Sequence, residues 1–355
     1  MAQHILPRYR GFNLLDLFST SNRWDEHFPM THGDFVEDDF RWMQEWGFDF
    51  ARIPMSYTYF VEKHDRKSFL EERMQQLDRL IAMGEKYHIH ISLNFHRAVG
   101  YCITSYPFDM HESGNLWTSQ SDLELFKRHW CILAERYKGI DSQKLSFDLV
   151  NEPPRLIEKR NPEEHNNYFV TMDEFVRVHL ETIQAIQHID PKRLVVIDGL
   201  NAGNTPCPLL ANVPNTAQSA RGYLPPFLTH HKCPWHGSAS EVVCPDWPHD
   251  AGEALGGMWD KKFLEGIYKP WIDLADAGCA VHVGECGCYK YTPHDVVLRW
   301  FEDLLSIFKE HNIGYALWNF RGTFGVLDSE RTDVQYEDWH GHKLDRKLLT
   351  LLQKY

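Results

Sequence analysis

One short segment constrains the fold of this chain more than any other: the run from Leu145 to Pro153, which reads LSFDLVNEP. Its apolar residues are typical of a strand buried on both faces, and Pro153 cannot continue a hydrogen-bonded ladder. The segment therefore predicts a buried strand that places Asn151 and Glu152 where the strand meets a loop. A second segment, from Ala280 to Glu285, has the same form and also ends on a glutamate. Two buried strands thus each deliver one carboxyl group to the rim of a core.

Two carboxyl groups at strand ends are the arrangement that glycoside hydrolysis requires. One stays protonated and donates to the leaving oxygen, while the other stays ionised and attacks the sugar or activates water. From the spacing alone, a solvated glutamate that merely opens a loop is an equally good interpretation of either residue. The rest of the chain has to distinguish the two interpretations.

Segments with the apolar spacing of helices alternate along the chain with short apolar runs that are typical of strands. Helices are predicted over 37–46, 70–86, 123–137, 175–188 and 296–309. The predicted strands lie near Phe12, Ala51, Ile91, Phe147, Val195, Arg221, Val281 and Ala316. The strand near Arg221 has the weakest pattern. The alternation predicts eight β/α units.

Eight such units favour an α/β fold of the (β/α)8 TIM-barrel type, in which polar residues at the carboxyl ends of the strands form the active site. An open doubly wound sheet is the alternative. It would be expected to carry a Gly-rich phosphate turn after its first strand, and the sequence Gly-Phe-Asn-Leu at 11–14 is not such a turn. We therefore expect one rim of a barrel to collect the following residues: Arg52, His96, Asn151, Glu152, Glu285 and Trp318.

We predict one catalytic domain over residues 1–355, because no internal repeat or low-complexity linker interrupts the chain. The segment of about 201–258 is rich in Pro, Cys, His and Trp, and long loops in compact domains are usually functional. We expect this loop region to wall the barrel mouth, with Trp235, Trp247 and Trp259 as candidates to stack on sugar rings. For any one of these tryptophans, packing within the loop is the commoner role.

The composition excludes several classes of partner. The net charge is −13, and no basic cluster occurs that could neutralise nucleic-acid phosphates. No stretch approaches the ~18 apolar residues of a membrane span. The first residues contain no apolar signal-peptide core, and eight cysteines in 355 residues are not a disulfide scaffold. We expect a cytoplasmic protein, or a secreted one if a signal peptide has been removed.

The motifs, taken in chain order, resemble those of glycoside hydrolase family 5, the cellulase-type retaining enzymes, over most of the chain. The matching residues are Gly11-Phe12-Asn13, Gly47-Phe48 with Ala51-Arg52-Ile53-Pro54, Leu93-Asn94-Phe95-His96, Asn151-Glu152-Pro153, Glu285 and Ala316-Leu317-Trp318-Asn319. Asn-Glu-Pro alone is a moderate match, and the ordered set is specific. The resemblance implies a TIM-barrel glycosidase with two catalytic glutamates and no cofactor.

The resemblance also implies a role for each matching side chain. Glu152 would be the acid/base and Glu285 the nucleophile. Arg52 would hold Glu285 ionised, and the negative charge of Glu285 would in turn keep Glu152 protonated. The other substrate-binding residues implied by the resemblance are His96, Asn151, Tyr223 and Trp318.

The chain departs from the family pattern at the sixth strand, where His-x-Tyr is expected and Arg-Gly-Tyr is found. Tyr223 keeps its expected place, but Arg221 stands where the histidine would be. A fixed positive charge near Glu152 would either lower the pKa of that carboxyl group or bind substrate, and we favour substrate binding. His230 or His231 could supply an imidazole instead, and we select His231 as the candidate.

Two other classes of function compete with this one. A metal-dependent hydrolase would use some of the 21 histidines, and the candidate ligands are His88, His90, His340, His342, Cys233, His236, Cys244 and His249. The pair at 88 and 90 is predicted at the amino end of the third strand, which is the wrong end of a barrel for chemistry, and the Cys/His loop set lacks the compact spacing of zinc modules. We therefore predict no catalytic metal. A non-catalytic carbohydrate-binding barrel would keep the aromatic residues and lose a carboxyl group, whereas both glutamates are present.

We predict a retaining glycoside hydrolase that acts on an oligosaccharide or glycoside, with its two glutamates roughly 5 Å apart. The missing export segment and the predicted wall favour an exo-acting or short-oligosaccharide enzyme, such as one with β-mannosidase-like specificity. The alternative is a secreted endo-β-1,4-glucanase or endo-mannanase whose signal peptide is missing.

Overall fold

Eight parallel strands form a closed barrel in the computed structural model, which describes residues 6–17, 34–103, 112, 114–161, 166–236 and 244–355. The strands are β1 (Arg10–Asn13), β2 (Phe50–Ser56), β3 (His90–Ala98), β4 (Leu145–Asp148), β5 (Leu194–Asp198), β6 (Thr216–Gly222), β7 (Ala280–Cys286) and β8 (Gly314–Leu317). Each strand pairs with the next along the chain, and β8 pairs with β1. This ring confirms the predicted TIM barrel, and every predicted strand position falls within a strand.

Helices cover the outside of the barrel between the strands. The longer helices of the described segments are α1 (Glu37–Glu45), α2 (Glu71–Lys86), α3 (Gln120–Arg136), α4 (Met172–Ile189), α5 (Lys261–Asp276), α6 (His294–Glu310) and α7 (Arg346–Lys354). Short helical turns span Tyr57–Tyr59, Leu200–Gly203, Pro208–Leu210, Pro226–Thr229 and Glu253–Leu255. Short strands outside the ring span Tyr101–Cys102, Arg155–Leu156, Phe169–Val170, His249–Asp250, Met258–Trp259, Glu337–Trp339 and His342–Leu344. Within the described residues, no helix is both long enough and apolar enough to cross a membrane.

The five predicted helices are all present, with ends that differ from the predicted ends by no more than three residues. Helices α5 and α7 were not predicted, and α5 has an evident reason. It contains Pro270, which removes a backbone donor and normally interrupts a helix interior. The apolar face of α5 buries Leu264, Tyr268 and Trp271, so tertiary packing stabilises the helix in spite of the proline.

The interior of the barrel divides into an apolar end and a polar end. At the amino ends of the strands a buried apolar cluster fills the ring, formed by Leu6, Tyr9, Phe50, Leu194, Val196, Ala217, Ala280 and Ala316. Towards the carboxyl ends the buried residues become charged or polar, and they include Asn13, Arg52, Asp148, Asp198, Arg221 and Glu285. The barrel therefore presents a dense polar group at the rim where such folds carry their active sites.

Two strands extend further than the sequence indicated. Arg52 is the third of the seven residues of β2, and His96 is the seventh of the nine residues of β3. The predicted position of both residues at the ends of their strands is therefore wrong. Arg52 nevertheless reaches the rim, because its long side chain extends inside the barrel to residues at the carboxyl ends of β4 and β7.

Candidate active site

Glu285 lies one residue before the end of β7, beside an irregularity in the sheet. The register of β7 against β6 shifts between Val283 and Glu285, so that Gly284 is skipped and Glu285 pairs with Arg221. Such bulges re-aim a side chain next to an active site. Gly284 is required there, because a Cβ atom at this position would lie 2.6 Å from Oγ of Ser219 and 3.0 Å from Nη1 of Arg221.

The carboxyl group of Glu285 is buried, accepts two hydrogen bonds and lies close to a second arginine. Oε1 accepts a hydrogen bond from Nη1 of Arg52 at 2.6 Å and lies 3.4 Å from Nη2 of Arg221. Oε2 accepts from the hydroxyl group of Tyr223 at 3.1 Å. Burial, followed by the charge of Glu285, raises the pKa of Tyr223 well above its usual value, so the hydroxyl group stays protonated and acts as the donor.

Glu152 lies in the loop that follows β4, with its backbone in an unusual conformation. Its φ angle of +46° is in the left-handed region, which non-glycine residues seldom adopt and which recurs at functional sites. Two bonds hold this peptide: the N–H of Glu152 donates to Oδ2 of Asp198 at 2.9 Å, and its carbonyl accepts from the hydroxyl group of Tyr101 at 2.5 Å. The strand ends at Asp148, earlier than the predicted boundary at Asn151 and Glu152, and the loop turns the side chain of Glu152 towards Arg221.

The side chain of Glu152 is the more open of the two carboxyl groups, with 17% of its surface exposed against 5% for Glu285. Its Oε1 accepts a hydrogen bond from Nε of Arg221 at 3.1 Å. Burial, and after it the negative charge of Glu285, raises the pKa of Glu152 to about 7. The two glutamates are therefore placed in different environments, since Glu285 is fixed by cationic and phenolic donors and Glu152 has a raised pKa and a more open side chain.

Arg52 connects three strands beneath the two glutamates. Its Nε donates to Oδ2 of Asp148 at 2.7 Å, and its Nη2 donates to Oδ1 of Asn151 at 2.8 Å. Its Nη1, besides bonding Glu285, donates to Oδ1 of Asn13 at 3.1 Å. The guanidinium group is 1% exposed and is held by side chains on four sides, so its orientation towards Glu285 is fixed.

Two buried aspartates of this site were missed by the sequence analysis. Asp148 and Asp198 end β4 and β5, and both strands are apolar runs that stop on a carboxyl group. The same criterion that identified Glu152 and Glu285 would have found them. Burial, and then the charge of Asp198, raises the pKa of Asp148 to about 7. Burial acts in the same direction on Asp198, but Arg221 and Arg52 outweigh it and lower the pKa of Asp198 below its usual value.

The other residues implied by the resemblance also gather at this rim. Oδ1 of Asn151 accepts from Arg52 and from Nη2 of Arg221, the latter at 2.9 Å, while Nδ2 of Asn151 has no hydrogen-bond partner among the described residues. The ring of His96 stacks on Trp318, with the ring centres 5.7 Å apart. Burial, followed by the charge of Arg52, lowers the pKa of His96 well below its usual value, so the imidazole is neutral.

Arg221 does not fit the predicted role of substrate contact. The side chain is 1% exposed, and its nitrogen atoms donate to protein oxygens throughout. The acceptors are Glu152 at 3.1 Å, Asp198, Ser219 at 3.1 Å, the carbonyl of Ala220 at 3.1 Å and Asn151 at 2.9 Å. A guanidinium group that is buried and paired in this way has no donor left for a sugar hydroxyl group.

The structure brings His230, and not the selected His231, against the site. The ring centres of His230 and Tyr223 are 5.1 Å apart, and Nδ1 of His230 lies 2.9 Å from Oγ1 of Thr229. His231 is buried, and the ring that packs against Tyr223 is that of His230. Burial lowers the pKa of both histidines.

The three tryptophans of the long loop have different environments. Trp235 is 42% exposed, and its ring lies 6.3 Å from Phe324, which itself contacts Tyr223. Trp247 is 1% exposed and donates through Nε1 to Asp303 of α6 at 2.9 Å, so it packs the loop and cannot stack on a sugar. The ring of Trp259 stacks on that of Phe263 at 4.7 Å. Only Trp235 of the three keeps substantial exposed surface close to the site.

The candidate metal ligands do not form a cluster. His90 begins β3 at the amino end of the barrel, as predicted, and its ring nitrogens lie 2.8 Å from Oγ of Ser146 and 2.9 Å from the carbonyl of Gln143. In the part of the chain that the structure describes, no group of three or more His, Cys, Asp or Glu side chains could hold a metal ion. Residues 237–243, between the Cys/His pairs of the long loop, lie outside the described residues.

A cavity of about 580 Å³ lies beside the site, between the loops that follow β1 and β8. Asn319, the residue after Trp318, lines it together with Asp16 and Arg321. Neither Glu152 nor Glu285 is among its lining residues, so the cavity does not enclose the two carboxyl groups. Oδ1 of Asn319 is buried and has no partner among the described residues.

Comparison with known proteins agrees with this geometry. Residues 11–323 match the cellulase family, glycosyl hydrolase family 5. Endoglucanase C of Acetivibrio thermocellus is 25% identical over 335 residues, which cover 88% of this chain and 91% of that protein. A glycoside hydrolase of known crystal structure is 37% identical in sequence to this chain. Its TM-score is 0.86, and the match covers 98% of this chain and 99% of that one. Thermotoga maritima Cel5A, solved in complex with mannotriose, shares the fold with a TM-score of 0.73 at 19% identity, over 97% of each chain.

A closed (β/α)8 barrel with two differently held glutamates at its carboxyl rim defines a glycosidase of the TIM-barrel class. The family match then places it within that class: the chain belongs to glycosyl hydrolase family 5. It is an enzyme that hydrolyses O-glycosyl bonds, as the resemblance implied.

Proposed function

We propose that this enzyme is a retaining β-1,4-glycanase in which Glu152 is the acid/base and Glu285 the nucleophile. The observation that carries the proposal is the difference between the two carboxyl groups. Glu285 accepts from Arg52 and Tyr223, which favours a fixed carboxylate. Glu152 has a pKa raised to about 7 and an exposed edge, which suits a group that gives and takes a proton.

The reaction on this geometry has two displacements. In the first, an oxygen of Glu285 forms a bond to the anomeric carbon while the bond from that carbon to the leaving oxygen breaks, and Glu152 gives its proton to the leaving oxygen. In the second, Glu152 takes a proton from water, whose oxygen attacks the anomeric carbon and releases Glu285. Each group ends in its starting state, and the configuration at the anomeric carbon is retained.

The surrounding residues support these two steps. Tyr223 and Arg52 orient Glu285 for in-line attack, because each holds a different oxygen of the carboxyl group. Nδ2 of Asn151 has no partner among the described residues, and we assign it to the 2-hydroxyl group of the sugar, where a hydrogen bond strengthens in the transition state. His96 and Trp318, stacked on each other, form the aromatic base of the sugar site.

We assign an endo-acting preference for soluble β-1,4-glucan, which favours the alternative over the exo-acting, β-mannosidase-like expectation. Three of the curated relatives are endoglucanases that match over 88% of this chain, and a fourth is cellodextrinase A of Ruminococcus flavefaciens, 22% identical over 285 residues. The cavity of about 580 Å³ beside Asn319 has room for more than one sugar unit. Trp247 is also buried, so one of the three tryptophans that were expected to stack on sugar rings packs the loop instead.

Two measurements test the proposal. Proton NMR of the first product from cellotetraose should show the β-anomer before mutarotation, and an initial α-anomer would overturn the retaining mechanism. The second measurement compares the viscosity of carboxymethylcellulose and of glucomannan with the number of reducing ends released. We expect viscosity to fall early, because internal cleavage shortens chains faster than it creates ends. Release of single sugars with little loss of viscosity would restore the exo-acting alternative.

A further inference from the structure

Arg221 is the residue at which the chain departs from the family pattern, and the structure shows it between the two catalytic glutamates. Its Nε is 3.1 Å from Oε1 of Glu152 and its Nη2 is 3.4 Å from Oε1 of Glu285. An arginine so close to Glu152 favours the ionised carboxylate. The acid role proposed above needs the protonated form, so a lone cation at this position would oppose the first step of the reaction.

Asp198 offsets this cation. Its Oδ1 accepts from Nη1 of Arg221 at 3.0 Å and its Oδ2 accepts from Nη2, in the two-pronged geometry that aligns a guanidinium group with a carboxylate. Asp198 is 0% exposed and Arg221 is 1% exposed, so the pair is screened from water and its two charges cancel at short range.

The neighbouring residues leave room for this pair. A Cβ atom at Gly203, in the turn after β5, would lie 2.5 Å from Cγ of Arg221. A Cβ atom at Gly284 of β7 would lie 3.0 Å from Nη1 of the same side chain. The side chain of Arg221 in β6 is therefore packed closely between a glycine that follows β5 and a glycine of β7.

Asp198 also touches the acid/base residue directly. The same Oδ2 that accepts from Arg221 accepts from the N–H of Glu152 at 2.9 Å, and this peptide has the left-handed φ of +46°. The turn after β5 adds two backbone bonds to the same loop, from Ala202 to Pro153 at 2.9 Å and from Asn201 to Pro154 at 3.1 Å. Asp198 therefore fixes both the position of Glu152 and the charge that faces it.

We propose that Asp198 and Arg221 are a charge-compensated pair of positioning residues, in which Arg221 orients the Glu152 carboxyl group and Asp198 cancels the arginine charge so that Glu152 keeps its proton. The inference rests on the acid/base role proposed for Glu152. The titratable and charged groups that face Glu152 are Asp198 at the end of β5, Arg221 and Tyr223 of the β6 unit, Glu285 of β7, Arg52 of β2 and Tyr101 of the strand after β3. Of these, only Asp198 contacts both Arg221 and the Glu152 backbone.

A double-mutant cycle on the full-length enzyme tests the pair through the pH profile of kcat/KM on cellotetraose. Asp198→Asn leaves the arginine charge uncompensated. The basic limb of the profile, where kcat/KM falls as the pH rises, should therefore move to lower pH by about one unit. Arg221→Gln removes the cation and leaves the negative charge of Asp198, so the basic limb should move to higher pH. The variant with both changes should return close to the wild-type profile, because the two charges are lost together. At pH values above the basic limb of both proteins, kcat/KM of Asp198→Asn should be about tenfold lower than that of wild type.

Two controls separate this effect from damage to the site. Asp148→Asn removes a carboxyl group that is about equally buried but bonds Arg52 at 2.7 Å and not Arg221, so it should move the basic limb clearly less than Asp198→Asn does. On 2,4-dinitrophenyl β-cellobioside, whose leaving group needs no proton, Asp198→Asn should lose much less of kcat/KM than it loses on cellotetraose. A structural role alone would slow both substrates equally.

The outcomes are distinct. An unmoved basic limb in Asp198→Asn, or shifts of the same sign in the two single variants, overturns the pairing. If Asp198→Asn does not fold, Arg221→Gln decides, since only an upward shift agrees with the inference. ¹³C NMR titration of glutamate-labelled protein, with Glu152→Gln to assign the resonance, follows the Glu152 carboxyl group without turnover. A wild type inactive on both substrates would thus overturn the proposed function while the charge pairing is still measured.

Discussion

The backbone N–H of Glu152 donates to the carboxylate of Asp198 across 2.9 Å, and it does so from a φ of +46°. The left-handed conformation costs an L-residue about 1–2 kcal/mol, and this hydrogen bond to a buried charge offsets part of that cost. Asp198, at the end of the next strand, therefore holds the backbone of Glu152 in a conformation that this residue would not prefer on its own.

The strain at Glu152 can be measured with two variants that both lack the carboxyl group. Glu152→Gly should have a free energy of unfolding about 1 kcal/mol higher than Glu152→Ala, because glycine adopts positive φ without a Cβ clash. Urea denaturation of both variants gives the difference. If the alanine variant is the more stable, the backbone of Glu152 is not strained in solution.

Removal of the nucleophile should be rescued with a defined stereochemistry. Glu285→Gly should lose nearly all turnover, and azide in the space left by the carboxyl group should restore cleavage of 2,4-dinitrophenyl β-cellobioside with formation of the α-glycosyl azide. Glu152→Ala is the matched control, since its azide product should keep the β configuration. NMR of the two azides is the measurement, and the opposite pairing of products would exchange the roles of the two glutamates.

The pH profile should report the acid. The pKa of Glu152 is raised to about 7, and the first step needs the protonated form. We therefore expect kcat/KM on cellotetraose to fall as the pH rises through about 7. The limb should disappear on the dinitrophenyl substrate, for which proton donation is not required. A basic limb of equal position and depth on both substrates would assign it to another group.

Two tryptophans of the long loop should behave in opposite ways. Trp235 is 42% exposed, so Trp235→Ala should leave the melting temperature nearly unchanged and raise KM for cellotetraose. Trp247 is buried and bonded to Asp303, so Trp247→Ala should lower the free energy of unfolding by about 3–5 kcal/mol. Thermal melts and initial rates of both variants give the comparison. An unchanged KM in Trp235→Ala would remove this residue from the substrate groove.

Turnover should not depend on a metal ion. The proposed mechanism uses two carboxyl groups, and neither step requires a Lewis acid. Prolonged treatment with EDTA, followed by assay in metal-free buffer, should leave kcat on cellotetraose unchanged. Loss of activity that zinc or calcium restores would contradict the mechanism.

The order of strands and helices, and the two buried strands that lead to Glu152 and Glu285, are properties of the sequence itself. A strand buried on both faces is recognisable because nearly all its residues are apolar, and a polar residue that ends it must lie at the rim. The family motifs add the identity of Arg52, His96 and Trp318, because their order along the chain is specific. Helix α5 was missed because local propensity at Pro270 opposes what packing imposes.

What the tertiary structure decided is how charges on different strands meet. Glu152, Asp198, Arg221 and Glu285 are distant in the chain, and their distances follow from the register and bulge of β5, β6 and β7. No local pattern predicts that Arg221 is saturated by protein acceptors, or that Asp198 both neutralises it and holds the Glu152 peptide. Local sequence determines which side chains reach the rim, whereas electrostatic interactions act through space and depend on the closed barrel that brings them within a few ångströms of one another.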